Sequence, residues 1–333
     1  MYQPKDSSQS PRFTGVRTFM RLENIQTTEN VDFVVVGVPF DTAASNRVGT
    51  RYGPQHIRNA SVLLRPYNPD QDINIFDYCS GVDYGDIDVI PGNVLRTYDQ
   101  MQQGLKPILD EDITPIILGG DHSISLGNLR AFHDKFGPIA LVHFDSHGDT
   151  WDQYYGEKYM HGTPFRRAVE EGLLDVDHSI QVGMRGPLYG PGDIQDAKDL
   201  GFEVITMSET RKLGQQEVIR RIHERVGKDR PVFVTFDIDF VDPAYAPGTG
   251  TPEVAGPTSH EALEYVRSLD GLNLVGFDLV EVLPAFDSGE ITAGLASAVA
   301  FEMISLVALK KRRLLEGGSG TPSKTLLQGA DNL

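Results

Sequence analysis

Along the chain, short runs of apolar and β-branched residues alternate with longer segments whose apolar positions recur every three or four residues. The first pattern is that of strands buried on both faces, the second that of helices laid on a core. Val31–Val38 (VDFVVVGV), Thr114–Leu118 (TPIIL), Ile139–Phe144 (IALVHF), Ser179–Val182, Phe202–Ile205, Val232–Phe236 (VFVTF) and Leu272–Val282 read as strands. Val94–Leu109, Ser125–Phe136, Thr163–Leu174, Gln215–Val226 and Ser259–Leu269 read as helices, and a further helix is expected between 182 and 202. Pro164 falls in the first turn of its helix, where a missing N–H costs nothing. Ile291–Lys311 reads as a last helix ending in the basic KKRR. This alternation predicts an α/β fold, a mostly parallel sheet covered on both faces. One domain is expected over 16–313, with residues 1–15 loose and the Gly/Ser-rich 314–333 a flexible tail.

Composition narrows the function classes. The 333 residues are 40% hydrophobic, enough for a large core. Cys79 is the only cysteine, which excludes an intramolecular disulfide and a thiolate-rich zinc site and fits a reducing, cytoplasmic setting. The N-terminus lacks a signal-peptide apolar core, and no unbroken run of about 18 apolar residues occurs, so no membrane span is expected. The formal net charge of −17, from 30 Lys+Arg against 47 Asp+Glu, argues against nucleic acid and suits cations. Most of that charge serves solubility.

The chemistry gathers where strands end. After TPIIL comes GGDHS, with His122; after IALVHF comes the rest of HFDSHGDT, with Asp145, His147 and Asp149; after VFVTF comes DIDFVDP, with Asp237 and Asp239. In extended chain, positions i, i+2 and i+4 share a face. Carboxylates and imidazoles gathered this way lose hydration and repel unless a cation sits among them. The carboxyl ends of parallel strands are also where open sheets bind ligands. Two imidazoles and four carboxylates without a thiolate suit Mn, Fe, Co or Ni rather than a closed structural zinc site. Six side chains are too many for one ion that keeps an open position, and four aspartates balance two divalent ions. Two adjacent ions make a shared water acidic near neutral pH, so the expected chemistry is hydrolysis. There is no Walker A lysine loop, and GTGTPE (248–253) is a turn rather than a dinucleotide fingerprint.

GGDHSIS (119–125), HFDSHGDT (143–150), HGTPF (161–165), FDIDFVDPAYAPGTGTPE (236–253) and FDLVEVLPAFD (277–287) resemble, in this order, the ureohydrolase family of arginase and agmatinase. GVPFD, RYGP and LLRPYNP extend the likeness upstream. The resemblance implies a three-layer α/β/α sandwich around an eight-stranded, mostly parallel sheet, assembled as a homo-oligomer (trimer or hexamer). It implies two divalent ions per chain, manganese first and nickel as the alternative. One would be held by His122, Asp145, Asp149 and Asp237, the other by Asp145, His147, Asp237 and Asp239, with Asp145 and Asp237 bridging. Glu281 would pair with the substrate guanidinium. His161 would shuttle protons to the leaving amine, and Asp149 would orient the attacking water. His143, two positions before Asp145 and deeper in the strand, is expected to be either a core residue or a support for the cluster.

The substrate is then a small guanidino compound, hydrolysed to urea and an amine. HGTPF and PGTGTPE resemble the agmatinase branch, with guanidinobutyrase and proclavaminate amidinohydrolase. In TWDQYYGEKYM (150–160), Trp151 and Asp152 are the expected substrate contacts, with His161 and Glu281. Agmatine's ammonium suits Asp152 or Glu157; a guanidino acid would look to Arg47, Lys158 or Arg166; guanidine itself or a biguanide are smaller or alkylated alternatives. Rivals of other classes are a non-catalytic relative that serves as a partner subunit, a dinuclear phosphoesterase and a deacetylase of similar fold. The intact ligand set counts against the first, and the lack of their own signatures against the others.

Overall fold

The computed structural model describes residues 1–317. Eight parallel strands form one sheet: β1 (Phe33–Val38), β2 (Gly81–Asp86), β3 (Thr114–Gly119), β4 (Ala140–Phe144), β5 (Ile180–Val182), β6 (Glu203–Ile205), β7 (Pro231–Asp237) and β8 (Asn273–Val280), in the order β2-β1-β3-β8-β7-β4-β5-β6. All six residues of β1 are buried, because both faces of the sheet are covered. Phe33 and Val35 point into one core with Ile57, Val218, Ala262 and Val299; Val34 and Val36 point into another with Tyr98, Met101, Leu129 and Phe165. The helices carrying those residues form the two outer layers of an α/β/α sandwich.

Several expectations shift. The β2 strand was not legible, since GVDYGD has no β-branched run and four of its residues are Gly or Asp. It forms because it lies at an edge and because glycine fits there: a Cβ on Gly81 would sit 2.0 Å from the Phe33 ring. The helix expected over 163–174 spans Pro164–Glu170, and Gly172, at φ 71°, turns the chain out of it. Met207–Leu213 is a helix that periodicity did not reveal; Thr206 and Glu209 close a capping box on it.

The termini also differ from expectation. Within 1–15, expected to be loose, Tyr2 is tied at the start of β2: its N–H donates to Ser80 Oγ at 2.7 Å and its carbonyl accepts the Gly81 N–H at 3.1 Å. The last helix runs Ile291–Gly317, past the basic cluster, and the rest of the expected tail, 318–333, lies outside the described residues. Within Ser288–Gly317 an 18-residue window reaches mean hydropathy 1.8, enough by length and composition for a membrane span. That window escapes a count of unbroken apolar residues because small polar residues interrupt it. It is 83% buried in the domain, so its apolarity serves the core.

The strand order fixes where the chemistry sits. The four neighbours β3-β8-β7-β4 lie at the middle of the sheet, and each runs into a motif bearing histidine or acidic residues. Their carboxyl ends therefore converge on one point.

Candidate metal centre

His122 follows β3, past the Gly119-Gly120 turn. Gly120 is required there: a Cβ would lie 1.7 Å from the Phe40 carbonyl oxygen. The His122 ring is wholly buried, and its Nδ1 stands 3.0 Å from Asp145, 2.9 Å from Asp149 and 3.2 Å from Asp237. His147 Nδ1 lies 3.1 Å from Asp239 and 3.5 Å from Asp145. Asp145 thus turns Oδ2 to one histidine and Oδ1 to the other, the placement of a bridging carboxylate. Asp237 lies on the His122 side through Oδ2, while its Oδ1 accepts the Asp239 N–H at 2.8 Å. All six expected ligands meet at the one place.

The donors fit divalent ions. His122 Nε2 contacts Thr235 Oγ1 at 2.8 Å, and buried Asp278 accepts from Ser125 at 2.7 Å and Asn128 at 2.9 Å. With Nε2 engaged by the Thr235 hydroxyl, Nδ1 is the ring atom turned to the carboxylates. Buried Nδ1 stands close to three carboxylates, none of which meets it in hydrogen-bond geometry. Outer partners that fix a ligating histidine in this way are characteristic of metal sites. His143 belongs to the same support. Gln181 Nε2 donates to its Nδ1 at 3.0 Å, so its Nε2–H donates to Asp145 Oδ2 at 2.8 Å. His143 lies close enough to His122 and Asp145 to be a ligand itself, but both its ring nitrogens are already engaged.

Electrostatics agree. Burial, then the charges of Asp239 and Asp145, hold Asp237 well above the usual carboxylate range, and Asp239 is also raised, chiefly by burial. Burial pushes Asp145 up too, but the neighbouring His122, His143 and His147 outweigh it and leave Asp145 well below that range. Burial pulls His122 and His147 down, and the surrounding carboxylates overcome it and hold both well above the imidazole range. The cluster calls for positive charge, which either extra protons or divalent ions supply.

Glu281 follows β8, and His161 stands just ahead of the helix Pro164–Glu170. Glu281 Oε1 accepts the His122 N–H at 2.9 Å and meets His161 Nδ1 at 3.0 Å. Burial pulls His161 down, but the bond to Glu281 and the charges of Glu281, Asp149 and Asp121 outweigh it, raising His161 to about 9. Asp149 and Glu281 both hold positive φ, 49° and 63°, which non-glycine residues seldom adopt. Such strain gathers at functional sites because the surroundings over-determine it.

Above the cluster opens a cleft of about 600 Å³, whose lining includes His147, Asp149, Asp237, His161, Trp151, Tyr154, Tyr189, Arg47 and Glu253. Trp151 stands edge-on to Tyr154 (5.6 Å) and Tyr189 (5.9 Å). Asp152, expected to touch substrate, is not brought to the cleft: its carboxylate, 58% exposed, turns to Arg167 at 2.7 Å. Arg166 is committed to the Thr150 carbonyl at 2.7 Å. Sequence reasoning missed Ser45, Gln181, Thr235, Asp278, Tyr189 and Glu253. Asp278 was findable, since it shares a motif with Glu281; Ser45 and Tyr189 are on loops that carry no pattern.

Comparisons with known proteins agree with this geometry. The chain matches the Arginase family over residues 31–305. It is 42% identical to guanidinobutyrase of Pseudomonas aeruginosa over 94% of this chain and 99% of that protein. It is 44% identical to the mitochondrial agmatinase of Gallus gallus over 89% of this chain and 87% of that protein. Among solved structures, proclavaminate amidino hydrolase from Streptomyces clavuligerus superposes with a TM-score of 0.86 at 41% identity, covering 90% of this chain and 99% of that one.

Proposed function

This chain belongs to the arginase family and is an amidinohydrolase acting on guanidino compounds, and we propose that it hydrolyses agmatine to putrescine and urea. Bound divalent ions would supply a water that loses its proton near neutral pH. Manganese suits the donors, and nickel suits them equally. His122, Asp145, Asp149 and Asp237 hold one ion in this reading; Asp145, His147, Asp237 and Asp239 hold the other. Glu281 pairs with the guanidinium through its charge, and His161, which lines the cleft, passes a proton to the leaving amine.

The observation that carries agmatine is the wall of the cleft. Trp151, Tyr154 and Tyr189 line the cleft together with Glu253, and aromatic rings with a carboxylate suit an ammonium group. With Asp152 held by Arg167, Glu253 takes the place expected of it. A second reading, a guanidino acid, rests on Arg47. Its guanidinium lies 4.1 Å from the Phe286 ring centre and also lines the cleft, and relatives named guanidinobutyrase and guanidinopropionase favour it. The complete ligand set, with His161 and Glu281 in place, speaks for a working enzyme over a silent partner subunit.

Urea release from agmatine, guanidinobutyrate, guanidinopropionate, arginine, guanidine and a biguanide, with protein loaded separately with Mn²⁺ and Ni²⁺, tests the proposal. Agmatine should be turned over fastest. Preference for a guanidino acid moves the assignment to Arg47. No urea from any of them, with two ions bound per chain, overturns the enzymatic reading of this panel.

A further inference from the structure

His161 has two ring nitrogens, and its proposed role in proton transfer involves a named partner, Glu281, at only one of them. The other nitrogen is also held. Ser45 Oγ lies 2.6 Å from His161 Nε2, and the Ser45 backbone N–H points at the same nitrogen at 3.1 Å. A backbone N–H can only donate, so in this geometry Nε2 is an acceptor and the ring proton sits on Nδ1, donated to Glu281. When the ring takes a second proton, it must be at Nε2. The backbone N–H then faces an N–H and offers nothing. The Ser45 hydroxyl is different: it donates to a neutral Nε2 and, by rotating, accepts from a protonated one.

Ser45 is not there by the accident of a floppy loop. The loop after β1 is pinned by groups deep in the fold. Buried Asp121 accepts the Ala43 N–H at 2.9 Å, and the Ala43 carbonyl accepts the His161 N–H at 3.0 Å. Asp41 accepts the Gly49 N–H at 2.7 Å and pairs with Arg51. Asn46 Nδ2 donates to the Gly250 carbonyl at 3.1 Å. The loop and the His161 backbone are thus registered to each other before the side chains meet. Ser45 also lines the substrate cleft.

Resting on the amidinohydrolase reading of His161, we propose that Ser45 is a positioning residue for that histidine. Its hydroxyl keeps Nε2 partnered in both protonation states, so that the exchanging proton enters and leaves at Nε2 while the other ring proton stays on Nδ1, donated to Glu281. In this exchange one N–H bond forms at Nε2 with a proton given up by the attacking water, and the same bond breaks as that proton passes to the leaving amine; the Ser45 hydroxyl only rotates and keeps its own proton. The charged groups facing His161 are Glu281, Asp149 and Asp121, with the Tyr154 ring 6.5 Å away. All three carboxylates favour the imidazolium, and none of them touches Nε2. Ser45 is the group that decides whether the imidazolium N–H at that position has an acceptor.

The experiment compares wild type, Ser45→Ala and Ser45→Thr, each with metal content and melting temperature checked, for urea release from about pH 6 to about pH 10. Ser45→Ala keeps the backbone N–H and loses the hydroxyl. Its kcat should fall by about ten- to a hundredfold, as for loss of one hydrogen bond to a charged group, with KM within about twofold. Its alkaline limb should move to lower pH, because the imidazolium gives up its proton more readily. Ser45→Thr should restore both. A Ser45→Ala enzyme with wild-type kcat and pH profile overturns the proposal, as does a Ser45→Thr enzyme no better than Ser45→Ala. Imidazole ¹⁵N spectra of wild type give a second readout that needs neither turnover nor a folded variant. Wild-type His161 should carry its neutral-state proton on Nδ1, and a proton on Nε2 sinks the idea. If wild type releases no urea from any guanidino compound, the proposed function fails by itself. The spectra of wild type and Ser45→Ala then still judge Ser45 by whether the Nε2 resonance moves.

Discussion

Asp145 and Asp152 follow the same strand, β4, yet their carboxylates end in opposite settings. Asp145 is fully buried between His122, His143 and His147. Asp152 is more than half exposed and turned away to Arg167. The difference lies in what aims each side chain. Asp145 continues the strand, so the alternation of the backbone and the parallel register with β7 place it beside Asp237. Asp152 sits in an irregular loop, where the nearest suitable partner sets its direction, and that partner, from the helix Pro164–Glu170, cannot be read from local pattern. The floor of the site is built by strand ends, and the mouth is built by whatever loops meet above them.

The sharpest way to break this comparison is at the floor. Asp145→Asn should reduce urea release by more than about a hundredfold, beyond what loss of an outer partner of a metal ligand produces, and metal content per chain should fall with it. Near-normal turnover with two ions bound would show that Asp145 does not bridge. At the mouth the effect should be smaller and of another kind. Trp151→Ala should raise KM for agmatine by about tenfold, the scale of one lost cation–π contact with its apolar area, and change kcat little. A fall in kcat at unchanged KM would mean that the aromatic wall organises the chemistry rather than the substrate tail.

A third test reads the charge balance of the floor without catalysis. In metal-free protein His161 is raised to about 9, chiefly through its bond to Glu281 and nearby carboxylates acting against burial. The folded state therefore binds a proton that the unfolded chain, near the ordinary imidazole value of about 6.5, gives up. This contribution is fully present below that value and is lost as pH rises through about 9. Urea-denaturation midpoints of chelated protein should decline across this window, and His161→Asn should flatten the decline; an unchanged slope would remove His161 from the account. The smallest effect is expected from Asp152→Asn. It breaks an exposed bond to Arg167, and turnover should stay within about twofold of wild type. A large loss of agmatine turnover there would return Asp152 to the substrate site.

The same contrast between floor and mouth separates the residues legible in the chain from those that were not. Strand ends bearing His122, Asp145, Asp237 and Asp239 were legible because apolar runs announce a strand and the residue after the run has only one place to go. Glu281 was legible through its motif, although its left-handed backbone was not. The edge strand Gly81–Asp86 was illegible because its residues suit a turn better than a strand. Ser45, Gln181 and Thr235 were illegible for another reason: each acts on a residue more than a hundred or several tens of positions away, as in the Ser45–His161 and Gln181–His143 contacts, and nothing local marks such a pair.

The amino-acid order by itself determined the sandwich, the strand ends that carry the ligands, and the kind of cation they suit. These depend on periodicity, on donor type and on motif spacing, all local properties of a chain. Only the tertiary structure decided which strands are neighbours, and so that β3-β8-β7-β4 bring four motifs to one point. It alone decided which nitrogen of His122 faces the carboxylates, that Asp152 leaves the cleft, and that Ser45 reaches His161. Those outcomes depend on hydrogen-bond partners far apart in the chain, and a partner's position exists only once both cores have packed around the sheet.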